Sequence, residues 1–360
     1  MIGYFRWISH WFYVEIFSLP GRLIALFFLC GLLIVPFVTT DSSVLRTLIL
    51  ASIYAIFTAS WDFLAVTGQV SLGHALFFGC AGYVVALANI HFGLSPSVTI
   101  LLGSLCAVIV GLFAGIPALR LRGFYLAIVT LAFPVIITGI IFTFPEFLGG
   151  DQGLIGIDRL SRSLVDSYYI VVLIMIICTL IMWKLSDSGS RIVRLGVILH
   201  AIREDEITAR TSGINTVKYK LMVYAISGFF GGIAGGLYTH FVRVSGPSSL
   251  DVLFSLQALV WAIFGGMGTI YGAITGVFIL FPFLEYIRIY EWGREWRLVI
   301  MSLLLICVLL FMPEGLSVWV LDKLELKCQR CKVINFATRR YCRACGAPLR
   351  IDKESEEGKG

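Results

Sequence analysis

Apolar residues run in ten long stretches along this chain, and polar residues gather in the gaps between them. The stretches are 22–39, 47–66, 73–91, 97–118, 124–144, 168–184, 219–241, 252–265, 270–288 and 298–311. A helix that crosses a bilayer needs about 20 apolar residues, with about 17 tolerated. The pattern therefore predicts an all-α polytopic membrane protein of about eight to ten transmembrane helices. The third stretch is rich in small and polar residues, and the eighth is short. Either fits a broken or re-entrant helix, which survives only where protein or a watery cavity covers its open backbone.

Composition supports lipid as the solvent. Hydrophobic residues make up 58% of the 360 and charged residues 14%, against about 45–50% and about 25% in soluble domains. The formal net charge of +6 marks cytoplasmic loops and anionic lipid headgroups rather than nucleic acid.

The gap at 188–220 differs from the others. It reads SGSRIVRLGVILHAIREDEITARTSGINTVKYK, a charged island with a helical look between two apolar runs. Lys184, Arg191, Arg194, Arg203, Arg210, Lys218 and Lys220 fall in or beside it. With Arg120, Arg122 and the basic tail after Pro313, they lie on one side of a ten-span topology, which predicts both termini in the cytoplasm of a multi-pass plasma-membrane protein. The first 21 residues, crowded with Tyr4, Phe5, Trp7, Trp11, Phe12, Tyr13 and Phe17, predict a helix lying in the headgroup zone. The transmembrane domain is expected over 22–315, with the soluble island at 188–218.

Three glycine series have helical spacing: Gly228, Gly232 and Gly236, then Gly268, Gly272 and Gly276, then Gly111 and Gly115. Small residues at that spacing let helix backbones approach closely in lipid. The same residues could serve as hinges. Gly266-Met267-Gly268 is not a phosphate loop, because it lacks the GxxxxGK[ST] spacing. No such loop occurs in the sequence, so nucleotide on this chain is not expected.

Five segments carry a family resemblance. Thr67-Gly68-Gln69-Val70-Ser71-Leu72-Gly73-His74-Ala75 resembles the GQxSLGxA segment of branched-chain amino-acid ABC transporter permeases of the LivM type. The run from Leu119-Arg120-Leu121-Arg122-Gly123 through Ala127-Ile128-Val129-Thr130-Leu131-Ala132-Phe133 is similar to that family's LRLRGxYxAIVTLAF. Gly149-Gly150 with Gly153-Leu154 is similar to its TGGxxGL loop. Ala201-Ile202-Arg203-Glu204-Asp205-Glu206, then Gly213-Ile214-Asn215 and Tyr219-Lys220, resembles its cytoplasmic loop. Gly265-Gly266-Met267-Gly268-Thr269, with Gly272, resembles its GGxGTxxG turn. The segments occur in family order.

The resemblance implies a type I ABC importer-like permease bundle, a transporter subunit and not an enzyme. It further implies two separate ATPase subunits, a second related permease, an extracytoplasmic solute-binding protein and a small-molecule solute. Force from the ATPases would enter through 199–215, where Ala201, Arg203, Glu204, Glu206, Ala209 and Gly213 are the coupling candidates. Counting back from Gly213, Ile207-Thr208-Ala209 stands where the general EAA-x3-G signature has EAA, with Glu206 one residue earlier. Gln69, Ser71, His74 and Thr130 are candidates to line the solute path, since they sit beside glycines in the family segments. Asp62 stands where the family more often has a neutral amide; an acid inside a span is a functional candidate, but near the end of its span it is expected instead to reach headgroup water.

Cys328-Gln329-Arg330-Cys331 and Cys342-Arg343-Ala344-Cys345 form two CxxC pairs with Gly346 after the second. Four thiolates so spaced suit a tetrahedral structural zinc site. A segment this small (326–350) would depend on metal for its folding energy. Iron in a rubredoxin-like site is the nearest competitor, and disulfides fit poorly with a reducing cytoplasm. Family resemblance does not account for this zinc-ribbon-like module. Its basic residues suit a protein-docking role, with anionic lipid and nucleic acid as other partners. The remainder, 351–360, is polar and expected to be disordered.

The reading is thus the permease of an ATP-driven importer for branched-chain or other hydrophobic amino acids. The same machine importing urea, short amides or another small solute is a near alternative, and an ion-gradient-driven secondary transporter is the rival from another class.

Overall fold

The computed structural model describes residues 20–39, 41–119, 121, 123–187, 194–288, 291–312, 314–331, 334–336, 342, 345, 347 and 349. The expected interfacial helix at 4–17, the residues 188–193 of the island and the tail from 351 lie outside them. Two compact units divide the chain. One is Thr39–Leu316, and the other joins the residues before 39 to those after 316.

Each of the ten apolar stretches coincides with a helix. In chain order these are α1 (Pro20–Val38), α2 (Ser42–Ala65), α3 (Ala75–Phe92), α4 (Pro96–Ala118), α5 (Gly123–Thr143), α7 (Leu164–Ser186), α10 (Thr216–Val242), α11 (Val252–Gly265), α12 (Ile270–Ile287) and α13 (Glu291–Phe311). The one-turn α6 (Pro145–Leu148) follows α5, and α8 (Leu195–Glu204) and α9 (Glu206–Thr211) make up the island. Seven helices among the described residues are long and apolar enough to cross a membrane, and α1, α11 and α13 carry shorter apolar runs.

The two weak stretches turn out to be linked. Between α2 and α3 the chain leaves helical geometry at 66–74, yet Val66, Thr67, Gln69, Ser71 and His74 are buried. Helix α3 then starts inside the bundle, where its Ala75 N–H donates to Ser255 Oγ at 2.8 Å. Ser255 lies in the first turn of α11, a helix of 14 residues, which at about 1.5 Å per residue spans about 21 Å. A bilayer core is about 30 Å thick. Helix α11 is therefore shorter than a full crossing, while α3 is continuous and of crossing length, correcting the expectation that the third stretch is broken, and the start of α3 meets the first turn of α11 inside the protein.

Packing in Thr39–Leu316 follows membrane logic. Helix α4 turns Leu101, Leu105, Ile109, Leu112 and Ile116 outward, while Gly103, Ser104, Ala107, Gly111 and Ala114 face in. Opposite that small face stands the glycine row of α10. A Cβ at Gly228 would lie 2.6 Å from the Ala107 carbonyl oxygen, and one at Gly232 would lie 2.8 Å from Ala107 Cβ. A Cβ at Gly235 would strike the backbone of Phe78 in α3. Likewise Gly265, Gly272 and Gly276 bring α11 and α12 into backbone contact. Close approach is thus what these glycines provide.

At the end of the bundle away from the island, β1 (Leu154–Ile155) pairs antiparallel with β2 (Val244–Ser245). His240 bridges Thr99 Oγ1 at 2.7 Å and the Asp158 carbonyl at 2.8 Å. Asn89 closes on Asp158 twice, through its Nδ2 to the carboxylate and its Oδ1 from the backbone N–H. Arg243 adopts φ 66, ends α10, and donates from Nε to the Ile157 carbonyl. The 144–163 loop is thereby strapped across α3, α4 and α10.

In the second unit, α14 (Leu316–Leu324) leads into a hairpin of β3 (Glu325–Lys327) and β4 (Ile334–Phe336).

The glycine seam makes a sharp prediction. Gly235→Ala should destabilise the detergent-solubilised protein by about 1–3 kcal/mol or more, the usual cost of overpacking. Gly139→Ala, with nothing within 4 Å of its Cβ position, should leave the thermal midpoint unchanged or slightly raised. Paired melting curves of the two variants decide it.

Candidate functional site: the island and the turns it touches

The island folds as two short helices joined at Asp205. Its carboxylate caps α9, accepting from the N–H of Ile207 at 2.8 Å and of Thr208 at 3.2 Å, and from Thr208 Oγ1 at 2.7 Å. The bonds from Thr208 and Ile207 hold the Asp205 carboxyl below the usual aspartate range. At the other end of α9, Gly213 takes φ 85. Its N–H reaches the Arg210 carbonyl and the Ile214 N–H reaches the Ala209 carbonyl. That paired pattern is a Schellman stop, and it explains why glycine occupies 213.

The helices are anchored to the bundle by both burial and charge. Leu199, Ile202 and Ala209 are buried, and Gly196 lets the first turn of α8 sit against the backbone of Ser186 and Asp187 where α7 ends. Glu206 is held by Lys220 at 2.9 Å and Arg210 at 2.6 Å. Arg210 Nε also donates to Thr216 Oγ1 at 2.8 Å, which ties α9 to the start of α10. With Lys220 only 8% exposed, this pair has a buried end, and breaking it would cost more than breaking a surface ion pair.

Of the six coupling candidates, Ala209 and Glu206 thus face the bundle and Ala201 is half-buried, while Arg203, Glu204 and Gly213 are exposed. Arg203 does more than face solvent. Its Cα and Cγ lie 3.8 Å from a Cβ position on Gly68, and its guanidinium lies directly over Gly268. Gly68 and Gly268 both have positive φ, 75 and 85. Three sequence-distant segments, 66–69, 201–213 and 265–269, therefore converge at one end of the bundle. Gly315 backs the last of them against Gly266.

Asp62 belongs to this convergence. The expectation that it reaches headgroup water is wrong, because it is fully buried. Its Oδ1 accepts from the Gly268 N–H at 2.6 Å. The α11–α12 turn brings a backbone donor onto the carboxylate, and that contact across 206 residues had no local sequence signal.

The four path candidates cluster around 66–74 and are all buried. Gln69 Oε1 accepts from Thr67 Oγ1 at 3.1 Å. Ser71 Oγ accepts from the Gly73 N–H, and the Ser71 carbonyl accepts from Trp61 Nε1 at 2.7 Å. Thr130 Oγ1 accepts from the Leu72 N–H at 3.1 Å, and a side chain at Gly73 would strike the Thr130 carbonyl. His74 Nε2 pairs with Ser60 Oγ at 2.8 Å, while its Nδ1 has no partner.

The four tail cysteines come together, with every sulfur within 4.8 Å of the others. Cys328 and Cys345 sulfurs are 3.6 Å apart, and those of Cys331 and Cys342 are 3.4 Å apart. A tetrahedron with metal–sulfur bonds of about 2.3 Å has sulfur–sulfur edges of about 3.8 Å, so the set fits a tetrahedral ion after small adjustment. The backbone N–H groups of Cys331 and then Arg330 point at Cys328 Sγ and hold its thiol below the usual range. Asn335, fully buried, donates from Nδ2 to Cys342 Sγ at 3.6 Å. These donors favour thiolate, the form that binds metal, so the four cysteines could hold a metal ion.

Comparison with known proteins agrees with the bundle and stops short of the tail. The profile of the family described as "Branched-chain amino acid transport system / permease component" matches residues 43–309. The high-affinity branched-chain amino acid transport system permease protein LivM of Salmonella typhimurium is 28% identical over 297 residues, covering 74% of this chain and 68% of that protein. LivM of Escherichia coli is 28% identical over 292 residues, 73% of this chain and 67% of its own length. A probable branched-chain amino acid transport permease protein LivH of Methanocaldococcus jannaschii is 27% identical over 263 residues, 67% of this chain and 80% of its own. No solved structure matches the chain. With helices α2 to α12 and nearly all of α13 inside the matched range, this multi-pass membrane protein belongs to the family of branched-chain amino acid transport system permease components.

Proposed function

We propose that the chain is the membrane-spanning subunit of an ATP-driven importer of branched-chain or other hydrophobic amino acids, and that α8 and α9 are the platform on which a separate ATPase subunit pushes. A permease of this kind is a conduit and not an enzyme. The observation that carries the reading is the docking of the island on two turns of the bundle, through Arg203 over Gly268 and beside Gly68. Movement of α8 is transmitted directly to the loop after α2 and to the α11–α12 turn. Those two segments adjoin α3 and α11, which meet at Ala75 and Ser255.

The platform offers something to grip. Val197 is 51% exposed and Ile207 63% exposed, and the charged Arg203, Glu204, Asp205 and Arg210 are exposed on the same pair of helices. An apolar side chain surrounded by polar ones is the usual anchor of a protein interface. The positive charge of the island supports a cytoplasmic position for that end, where ATPase subunits reside. A solute-binding protein would then approach the strapped 144–163 loop at the other end, and a second related permease would complete the pore.

The solute path runs past the unwound segment. Gln69, Ser71, His74 and Thr130 surround it, and α3 begins there with its positive end inside the bundle. Partial helices that end at mid-depth are how transporters present backbone dipoles to polar solute groups. ATP-driven displacement of the platform would rock this segment against α5 and expose it to one side or the other.

In the tail, Cys328, Cys331, Cys342 and Cys345 hold structural zinc. The all-sulfur, tetrahedral donor set and the N–H···S contacts favour zinc or iron over harder ions, and a structural role needs no redox change. Zinc would organise the two knuckles around β3 and β4 and supply no chemistry to transport.

Ile207→Asp should reduce co-purification of the ATPase subunits by at least about tenfold, since loss of a central apolar anchor costs about 2 kcal/mol or more. Retention of the ATPase together with normal solute uptake by this variant would refute the platform. Metal analysis of the full chain should find one zinc per polypeptide, lost in Cys328→Ser and on acidification as the thiolates take up protons. Stoichiometric iron, or no metal in protein purified without chelator, would refute the zinc assignment.

A further inference from the structure

Asp62 is a buried carboxylate with half of its hydrogen-bonding capacity unused. Oδ1 accepts from the Gly268 N–H, while Oδ2 is buried and without a partner. Uncompensated charge inside a protein is costly, and a cation brought to it relieves that cost. Among the described residues the nearest candidate is already at hand. The guanidinium of Arg203 lies over Gly268, on the residue whose N–H the carboxylate holds. No ion pair joins Asp62 and Arg203 in this geometry. Glycine at 268 is what leaves room for that approach, because any side chain there would occupy the place of Arg203 Nη1.

We propose that Asp62 and Arg203 form a state-dependent ion pair that latches the island to α2. In the geometry described here the latch is open, with Arg203 over Gly268 and Oδ2 vacant. A shift of α8 toward the bundle brings the guanidinium onto Oδ2 and closes it. Arg203 carries five N–H donors in a planar fork, so it can take Oδ2 without displacing the Gly268 N–H from Oδ1. Asp62 is thus a positioning residue: it touches no solute, and it sets how tightly movement of the platform is tied to movement of the bundle. This rests on the proposed coupling role of α8 and α9, and it adds a specific partner inside the bundle for a residue on the platform.

Asp62→Asn is the informative change. The amide oxygen can still accept from Gly268, so the α11–α12 turn keeps its anchor and the fold is preserved, while the charge that receives Arg203 is gone. The assembled transporter, reconstituted in vesicles with its ATPases and binding protein, is assayed for ATP hydrolysed per solute imported. The expected result is a rise in that ratio on the order of tenfold in Asp62→Asn and in Arg203→Gln, with the double variant no worse than either single one, as residues acting as one unit require. A protein that misfolds would instead lose assembly on size-exclusion chromatography, and Asp62→Glu, which restores the charge, should recover part of the coupling. An unchanged ratio in Asp62→Asn, or effects of the two single changes that simply multiply in the double variant, would overturn the latch. The Ile207→Asp variant separates this from the underlying reading: if it abolishes ATPase docking while Asp62→Asn transports normally, the platform stands and the latch falls.

Discussion

Inside a bilayer every backbone N–H and C=O must find its partner within the protein, and the stretch from 66 to 74 meets that demand without a helix. Side chains supply what the helical ladder does not. Trp61 Nε1 takes the Ser71 carbonyl, Thr130 Oγ1 takes the Leu72 N–H, Ser71 Oγ takes the Gly73 N–H, and Ser255 Oγ takes the Ala75 N–H. Three helices, together with the segment's own Ser71, satisfy the backbone of one irregular segment. It is held by contacts from α2, α5 and α11, so it cannot move independently of them. Any rearrangement of those helices must be felt by the segment, and any displacement of the segment must be felt by the helices.

Small residues make that arrangement geometrically possible. Hydrophobicity cannot draw helices together when the surrounding lipid is equally apolar, so contact depends on how closely backbones can approach. The glycine row of α10 packs backbone to backbone on α4 and on α3, and the α11–α12 pair does the same through Gly265, Gly272 and Gly276. Large side chains are displaced to the outer faces. A bundle held by shape in this way passes displacement along with little loss. The same property makes the contact of Arg203 with Gly68 and Gly268 consequential, because both glycines belong to turns that end tightly packed helices.

Much of this was legible in the sequence, for identifiable reasons. Apolar run length found every long helix because a bilayer sets a length that chance rarely matches. The glycine spacing read as close packing because helical periodicity repeats over several turns. The third stretch reads as broken because of its small and polar residues, yet Ala75–Phe92 is one continuous helix and the irregular segment lies just before it; the eighth reads as short and is a helix of 14 residues; that the two meet was not visible. The Ala75–Ser255 contact spans 180 positions, and no periodicity encodes it. Asp62 was misplaced for a related reason. Its depth was judged from its position near the end of α2, whereas its burial is decided by the α11–α12 turn folding over it. Lys220 appeared among the loop's positive charges, yet it is a buried partner of Glu206. A count of charges registers both without saying that they neutralise each other.

The four-cysteine module follows a different physical rule from the bundle. The matched family range ends at 309, and with it ends the apolar periodicity that lets lipid solvate outward-facing side chains. Beyond it the described chain offers the nine-residue α14, two three-residue strands and, as buried side chains, Cys328, Cys342 and the amide of Asn335. So little apolar surface cannot offset the entropy of ordering the segment. The cysteines would resolve this by holding a metal ion, because metal–thiolate bonds supply stability that does not scale with buried area. Their cost is that the sulfurs must be deprotonated, and the backbone donors at Cys328 and the Asn335 amide at Cys342 are placed to meet it. Stability in the bundle comes from backbone proximity in a medium without water. In the tail a bound ion would supply it through a few coordinate bonds, so a change that weakens one need not weaken the other.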